Sequence, residues 1–374
     1  MRLRDPSAPP EARERRSPRC VVHATAHATI LNCTRGPSVP GPQSASATIG
    51  VAMFARAVPQ STRPRSSERP ASGSWLLLAV GAALRAAIAL WPALSASSGA
   101  ASPSWRMALL FAGLSACAPL LVMALGRALF GAAVGFLAGW ICALDPLLVM
   151  APAPASNAAV ALALALALTA AWVVAPRLGR ALGVGLAWGI GALADPGTLP
   201  VLALMVPWAW VPLGLIVPPR DRARQFGFAA LGLVAVIVPW TVRNTLVRHA
   251  FVPVWGPTGN PLSALPELGT IGRRLLAFLA LPGDPLRTAV ALALLPLWLW
   301  GVARAIVGPR RWFQSLALVP IVCFAAQAVT LEAPLAARVP VEPLIGLFAA
   351  LGFHDLSLRF RARAHGLEVI EGYR

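Results

Sequence analysis

From position 75 onward the chain is a succession of apolar runs, each long enough to cross a bilayer, and this decides most of what it can fold into. A hydrocarbon core about 30 Å thick takes about 20 apolar residues per helical span, with a range of about 17–25. The segments that meet this length are 75–94, 106–125, 129–148, 156–175, 181–199, 200–217, 225–244, 287–306, 312–331 and 340–356. Lipid offers no partner to a backbone N–H or C=O, so such a run must satisfy its own hydrogen bonds as a helix. The expectation is an all-α, polytopic transmembrane bundle of about ten spans occupying residues 74–356. The least regular part lies around 129–175, where Asp145-Pro146 and the APAPAS stretch interrupt the pattern. Breaks of that kind produce short or re-entrant pieces.

Composition agrees. The chain is 57% hydrophobic and 12% charged, against about 45–50% and about 25% in soluble domains. A water-soluble globular fold is excluded for most of its length. Basic residues number 32 and acidic residues 14, giving a formal net charge of +18, and every basic residue is Arg. Nucleic-acid binders gather such residues on one solvated face. Here they fall between apolar runs, as in membrane-protein loops, so the expected partner is a lipid bilayer and not nucleic acid. The five cysteines, Cys20, Cys33, Cys117, Cys142 and Cys323, show no CxxC pair or metal-ligand spacing, so neither a zinc site nor a disulfide framework is indicated.

Residues 1–73 are rich in Pro, Ser, Ala and Arg without apolar periodicity. Such a segment buries too little surface to offset its ordering entropy, and a disordered tail is expected. It is not a clean signal peptide, because no long apolar core follows a short basic start. Met53 opens a stretch, MFARAVPQSTRPRSSERPASGS, that reads as an alternative start with a short cytoplasmic lead. Arginine in short loops marks the cytoplasmic side. Ten spans then leave both termini inside, with Arg127, Arg177, Arg180, Arg220, Arg222, Arg224, Arg304, Arg310 and Arg311 in inner loops and 357–374 as a basic cytoplasmic tail. Arg243, Arg248, Arg273, Arg274, Arg287 and Arg338 fall outside. They are either incidental solvated charge or a surface for an anionic group.

Familiar catalytic sets are missing. With no Lys there is no phosphate-loop lysine, no HExxH occurs, and the five His form no recognisable triad. The few carboxylates near the outer side are Asp145, Asp195, Glu267, Asp284, Glu332 and Glu342. A carboxylate at a membrane boundary is a functional candidate because burying it is costly. Asp145 and Asp195 both precede Pro, so helix-end chemistry is the competing reading for each. The most informative stretch is 238–260, VPWTVRNTLVRHAFVPVWGPTGN, where Trp240 anchors a span and Arg243-Asn244 follows at the interface. Arg and Asn there can hold a phosphate, the guanidinium in bidentate fashion. In 337–352, ARVPVEPLIGLFAALG, Arg338 sits just before a span that begins at Pro340, a favoured first-turn residue.

These stretches carry a resemblance. PWTVRNTLVRHAFVPV looks like the PW-x-x-R-N segment ending a late-middle helix in polyprenol-phosphate-sugar-dependent glycosyltransferases of the GT-C type, the protein-mannosyltransferase and aminoarabinose-transferase relatives common in bacteria. ARVPVEPLIGLFAALG is similar to their Arg-x-Pro-x-x-Pro-Leu helix start. Residues 124–152 resemble their second-to-fourth helix region, and GIGALADPGTLPVL resembles their Gly-x-x-x-Leu-x-Arg-Pro helix end. The likeness spans most of 75–356. It implies a GT-C-like bundle in a bacterial inner membrane that moves a sugar from a polyprenyl-phosphate donor to an extracytoplasmic acceptor. The resemblance further implies Arg243, Asn244 and Arg338 on the carrier phosphate, and a carboxylate acting as base or as ligand to a divalent metal.

The sequence departs from that family in its first outer loop, SASSGAASPSW at 95–105, which holds no Asp, Glu or Tyr. Ser156-Asn157 stands where relatives often carry Glu, and Asp195 where they often carry Arg. Asp145 or Asp195 is then the remaining choice for the base. A degenerate, non-catalytic member that binds a lipid carrier or a partner enzyme stays open, as does a missing piece of sequence. A transporter, the third class, predicts internal repeats and intramembrane charge. Arg85 is the one clear charge deep in a span, and a lone Arg there more often pairs locally.

Overall fold

In the computed structural model the described residues are 76, 79–81, 83–87, 112–150, 153–248, 268–280, 285–308, 310–330 and 337–364. The expected tail at 1–73, Met53, the first outer loop and residues 365–374 lie outside them. Among the described residues the chain is 94% helical and contains no strand, as the all-α expectation had it. Seven helices among the described residues are long and apolar enough to cross a membrane: Ala112–Phe130, Ala155–Val174, Thr198–Ile216, Pro219–Val247, Thr288–Val307, Arg311–Thr330 and Val339–Ala364. Ala132–Leu144 and Leu178–Ala194 are apolar but shorter. These nine elements fall where the second to tenth expected spans were placed; the first, 75–94, is described only in part.

In chain order the elements are α1 (Ala118–Phe130), α2 (Ala132–Leu144), α3 (Pro146–Met150), α4 (Ala153–Val174), α5 (Leu178–Ala194), α6 (Thr198–Ile216) and α7 (Pro219–Arg248). Then come α8 (Leu268–Ala280), α9 (Pro285–Val307), α10 (Arg311–Gln314), α11 (Leu318–Thr330) and α12 (Glu342–Ala364), with short 3₁₀ turns at Ser315–Ala317 and Val339–Val341. The α1–α2 reversal takes one residue, Gly131, at φ 101°, a conformation that carries almost no penalty only for glycine. Span 129–148 is cut short because Asp145 leaves the helix and Pro146 starts another.

Without a hydrophobic drive between helices in lipid, close backbone approach and internal hydrogen bonds hold such a bundle together. The α5–α7 contact is of this kind: a Cβ on Gly185 would lie 1.8 Å from the carbonyl oxygen of Ala229. Two indoles cross-link helices, Trp188 donating to the Thr169 hydroxyl at 3.1 Å and Trp172 to the Gln225 amide oxygen at 2.7 Å. The last helix continues through Ala364, past the expected boundary at 356, because Asp355 ties it to α9. That carboxylate accepts from the Trp300 indole at 3.1 Å, pairs with Arg304 at 3.4 Å and accepts from Arg359 at 2.9 Å.

The alternation of α1, α2, α4, α5, α6, α7, α9, α11 and α12 sorts their ends into two sets. One holds the turns carrying Arg127, Arg177, Arg180, Arg220, Arg310 and Arg311. The other holds Asp145, Asp195, the end of α7, and Arg338.

Candidate functional site

Helix α12 packs against both α2 and α9, while α2 and α9 scarcely touch each other. A cavity of about 440 Å³ lies over α12 between these two walls. Its sides are apolar, with Trp140, Ile141 and Leu144 from α2 and Leu294, Leu295 and Trp298 from α9. One end is polar: Asp145 follows directly on α2, and Arg338 and Glu342 come from the start of the last span. Two of the residues expected from sequence, Asp145 and Arg338, thus line the same cavity, although 193 positions separate them.

Arg338 and Glu342 are four residues apart, so consecutive helical turns bring them onto one face. Their side chains are only 4% and 8% exposed. The guanidinium grips the carboxylate twice, Nε to Oε2 at 2.5 Å and Nη2 to Oε1 at 3.2 Å. Its Nη1 donates to the carbonyl of Phe278 at 2.6 Å and to that of Leu279. Those carbonyls belong to the last turn of α8, where the helix has no N–H left to offer. Of the five N–H bonds of an arginine, Nε uses one here, Nη1 two and Nη2 one, and a single Nη2 hydrogen remains.

Asp145 terminates α2 and starts α3. Its Oδ1 accepts the Leu147 N–H at 2.8 Å, with Pro146 in the first position of the new helix, where a missing N–H costs nothing. The carboxylate lies within electrostatic reach of Glu342 and Arg338, and of Arg85. Arg85 sets its position. Buried, it donates Nε to the Ser115 hydroxyl at 2.9 Å, Nη2 to the Cys142 carbonyl at 3.2 Å and Nη1 to the carbonyls of Ala143 and Gly81 at 3.5 and 3.3 Å. The lone arginine of the first apolar run therefore holds the last turn of α2, whose final residue precedes Asp145. The cavity end unites a carboxylate held by the backbone N–H groups of Leu147 and Leu148, a clamped ion pair and a second arginine behind it.

The other expected residues lie elsewhere. Asp195 closes α5: its Oδ1 accepts the Gly197 N–H at 2.8 Å and its carbonyl accepts the Thr198 hydroxyl at 2.8 Å. Gln327 of α11 seals the same turn by donating to the Gly197 carbonyl at 2.7 Å. This is helix-end chemistry, and Asp195 does not line the cavity. Arg243 is exposed, its guanidinium 5.4 Å from the centre of the Trp240 ring. Asn244 is buried, and its Nδ2 has no hydrogen-bond partner among the described residues. Neither Arg243 nor Asn244 is among the cavity-lining residues, so the three expected phosphate ligands are not gathered there. Glu267, Asp284 and Glu332 lie outside the described residues. No group of three or more His, Cys, Asp or Glu suited to a metal ion occurs among the described residues.

Two features escaped sequence reasoning. Glu342 was visible only as one of several outer carboxylates, although its i, i+4 spacing from Arg338 was a usable signal. Helix α8 falls in what reads as a loop from 245 to 286. It is amphipathic, with Phe278 buried and Leu276 and Arg273 exposed, and Arg274 donates from its Nη1 to the Val329 carbonyl in the last turn of α11. Compared with protein-family models, curated proteins and solved structures, the chain matches none.

Proposed function

We propose that this chain is a membrane glycosyltransferase that takes a sugar from a polyprenyl-phosphate carrier, with the isoprenoid lying along the cavity between α2, α9 and α12. The observation that carries the reading is the polar end of that cavity, where Asp145, Arg338 and Glu342 meet walls made of Trp, Leu and Ile. An amphiphile with a long apolar chain and a charged head matches this distribution, because binding sites are mostly apolar with a few placed polar groups. Asp145 is the base: its carboxylate takes the proton of the acceptor hydroxyl as the hydroxyl oxygen attacks the anomeric carbon. The bond from the anomeric carbon to the phosphate oxygen breaks, and the phosphate leaves with the electron pair. The one Nη2 hydrogen of Arg338 that Glu342 leaves unused is the donor offered to that developing charge. The arginine-rich end of the bundle is the cytoplasmic one, which sets the cavity's polar end near the opposite face of a bacterial inner membrane.

The engagement of Arg338 favours a second reading. A guanidinium with four of its hydrogens already used grips a phosphate weakly, which suits a protein that binds a lipid carrier without turning it over. The two readings part in one experiment on purified protein in liposomes. A photoactivatable polyprenyl phosphate reports binding, and a polyprenyl-phosphate carrier with a radiolabelled sugar reports transfer. The enzyme reading expects both, with Asp145→Asn lowering transfer at least about 100-fold, the lower reach of general-base contributions, and crosslinking preserved. Crosslinking without transfer in the unmodified protein selects the second reading. Failure to crosslink at α2, α9 or α12 overturns both.

A further inference from the structure

A second cavity, of about 270 Å³, lies among α4, α5, α6 and α7. It is lined by Trp172, Trp188, Met205, Ala209, Phe226 and Ala230, among others. Its polar atoms are already in use: the Trp172 indole bonds to Gln225, and the Trp188 indole bonds to Thr169. Such a cavity offers a ligand no hydrogen bond, so what fills it is hydrocarbon. At about 30 Å³ for each water-sized volume, the cavity has room for about nine such volumes, enough for part of an acyl chain.

The mouth supplies the rest of the ligand. Phe226 lies edge-on to Trp172, with ring centres 5.3 Å apart, and packs on Trp210 at 5.1 Å. The Arg222 guanidinium sits 4.5 Å above that Trp210 ring. An aromatic path therefore leads from the cavity wall to a cation at the α6–α7 elbow. Gly214 makes room for this arginine, because a Cβ there would come within 2.2 Å of Nη1. The buried Nε of Arg222 has no hydrogen-bond partner among the described residues. The adjacent Asp221 faces Arg224 instead, at 3.8 Å. Arg220, Arg222 and Arg224 outnumber that one carboxylate. The elbow belongs to the arginine-rich end of the bundle, where anionic headgroups attract basic residues.

We propose that Arg222 and the α4–α7 cavity together hold one anionic phospholipid of the surrounding bilayer, an acyl chain in the cavity and the phosphate on the guanidinium. The site shares no residue with the cavity between α2, α9 and α12 and stands apart from the function proposed for it. The occupant is a lipid and not a free anion, because the cation and the apolar cavity are joined by one continuous aromatic wall.

Native mass spectrometry of the full chain in mild detergent tests this, with phosphatidylglycerol and phosphatidylcholine of identical chains as probes. The intact protein is expected to keep one phosphatidylglycerol at least about 10-fold more tightly than phosphatidylcholine, the ratio of one charge-assisted hydrogen bond. Arg222→Gln removes the preference. Arg363→Gln, an exposed arginine at the same end, leaves it. Ala230→Phe, at an exposed rim position, fills the cavity and releases both lipids while size-exclusion elution stays unchanged. Equal retention of the two lipids, an equal loss in the Arg222 and Arg363 variants, or a bound lipid undisturbed by Ala230→Phe overturns the proposal. Inorganic phosphate that competes as well as the intact lipid overturns it too, by showing that the chain plays no part.

Discussion

The Arg338–Glu342 pair is the sharpest quantitative test of the site. Both side chains are almost fully shielded, at 4% and 8% exposure, and the contact is bidentate, so solvent screening does little to weaken it. Removing one partner of such a pair leaves a buried charge without compensation, at a cost of about 3–5 kcal/mol. Glu342→Leu should fall in that range, because Arg338 keeps only its two carbonyl acceptors. Arg338→Met should cost more. It strands Glu342 and also takes the donors from the Phe278 and Leu279 carbonyls, and each buried acceptor left unpaired adds about 1–3 kcal/mol. The double variant leaves no stranded charge and should be less destabilised than the Arg338 single variant. Because the double variant lies below the Arg338 single variant, the cycle should show a favourable coupling at least as large as the Glu342→Leu cost, about 3 kcal/mol or more, at or beyond the top of the range for contacting residues. The assay is equilibrium unfolding in mixed micelles, followed by far-ultraviolet circular dichroism and repeated for all four proteins. Additive single variants, with a coupling under about 0.5 kcal/mol, would show that the ion pair is incidental and that the polar end of the cavity is not a built feature.

Two further outcomes follow from particular contacts. On α5, Gly185→Ala drives a Cβ into the Ala229 carbonyl, whereas Gly183→Ala on the same helix meets nothing within 4 Å. The first should destabilise by about 1–3 kcal/mol or more through overpacking and the second stabilise by up to about 1 kcal/mol through helix propensity; the same micelle titration reads both, and matching signs would contradict the α5–α7 packing. Arg85→Met should orphan the Cys142 and Ala143 carbonyls at about 1–3 kcal/mol each, and hydrogen exchange should quicken in the last turn of α2 before anywhere else in that helix; uniform exchange would deny Arg85 its part in placing Asp145.

How much of this was legible in the sequence depends on which interaction sets each feature. Helices came through because a run of about 20 apolar residues in lipid has almost one backbone solution. Their ends came through less well, since a hydropathy window stops where polar residues start and a helix does not. Helix α7 begins at Pro219, before the expected 225, because Arg220, Asp221 and Arg222 occupy its first turn. Helix α8 escaped because only one of its faces is apolar. The meeting of Asp145 with Arg338 is a tertiary fact that no local pattern encodes, whereas the Arg338–Glu342 pair follows from an i, i+4 spacing at a helix start. The arginines were the deeper difficulty. The expectation that an arginine near the outer boundary faces a phosphate treats its charge as seeking an external anion. This chain has 32 basic residues and 14 acidic ones, so most guanidiniums cannot find a carboxylate. Arg85 reaches the last carbonyls of α2, Arg180 those of α4, Arg274 that of α11 and Arg338 those of α8. A helix C-terminus carries about half a negative charge and unpaired acceptors, and in a medium without water it is the anion every span provides. An arginine-rich, acid-poor membrane chain can thus neutralise its cations on its own helix ends. A guanidinium at a span boundary points to an outside ligand only through the hydrogens that its own helix ends and carboxylates leave unused, those of Arg222, stacked on Trp210 at the N-terminal end of α7, and a single one of Arg338.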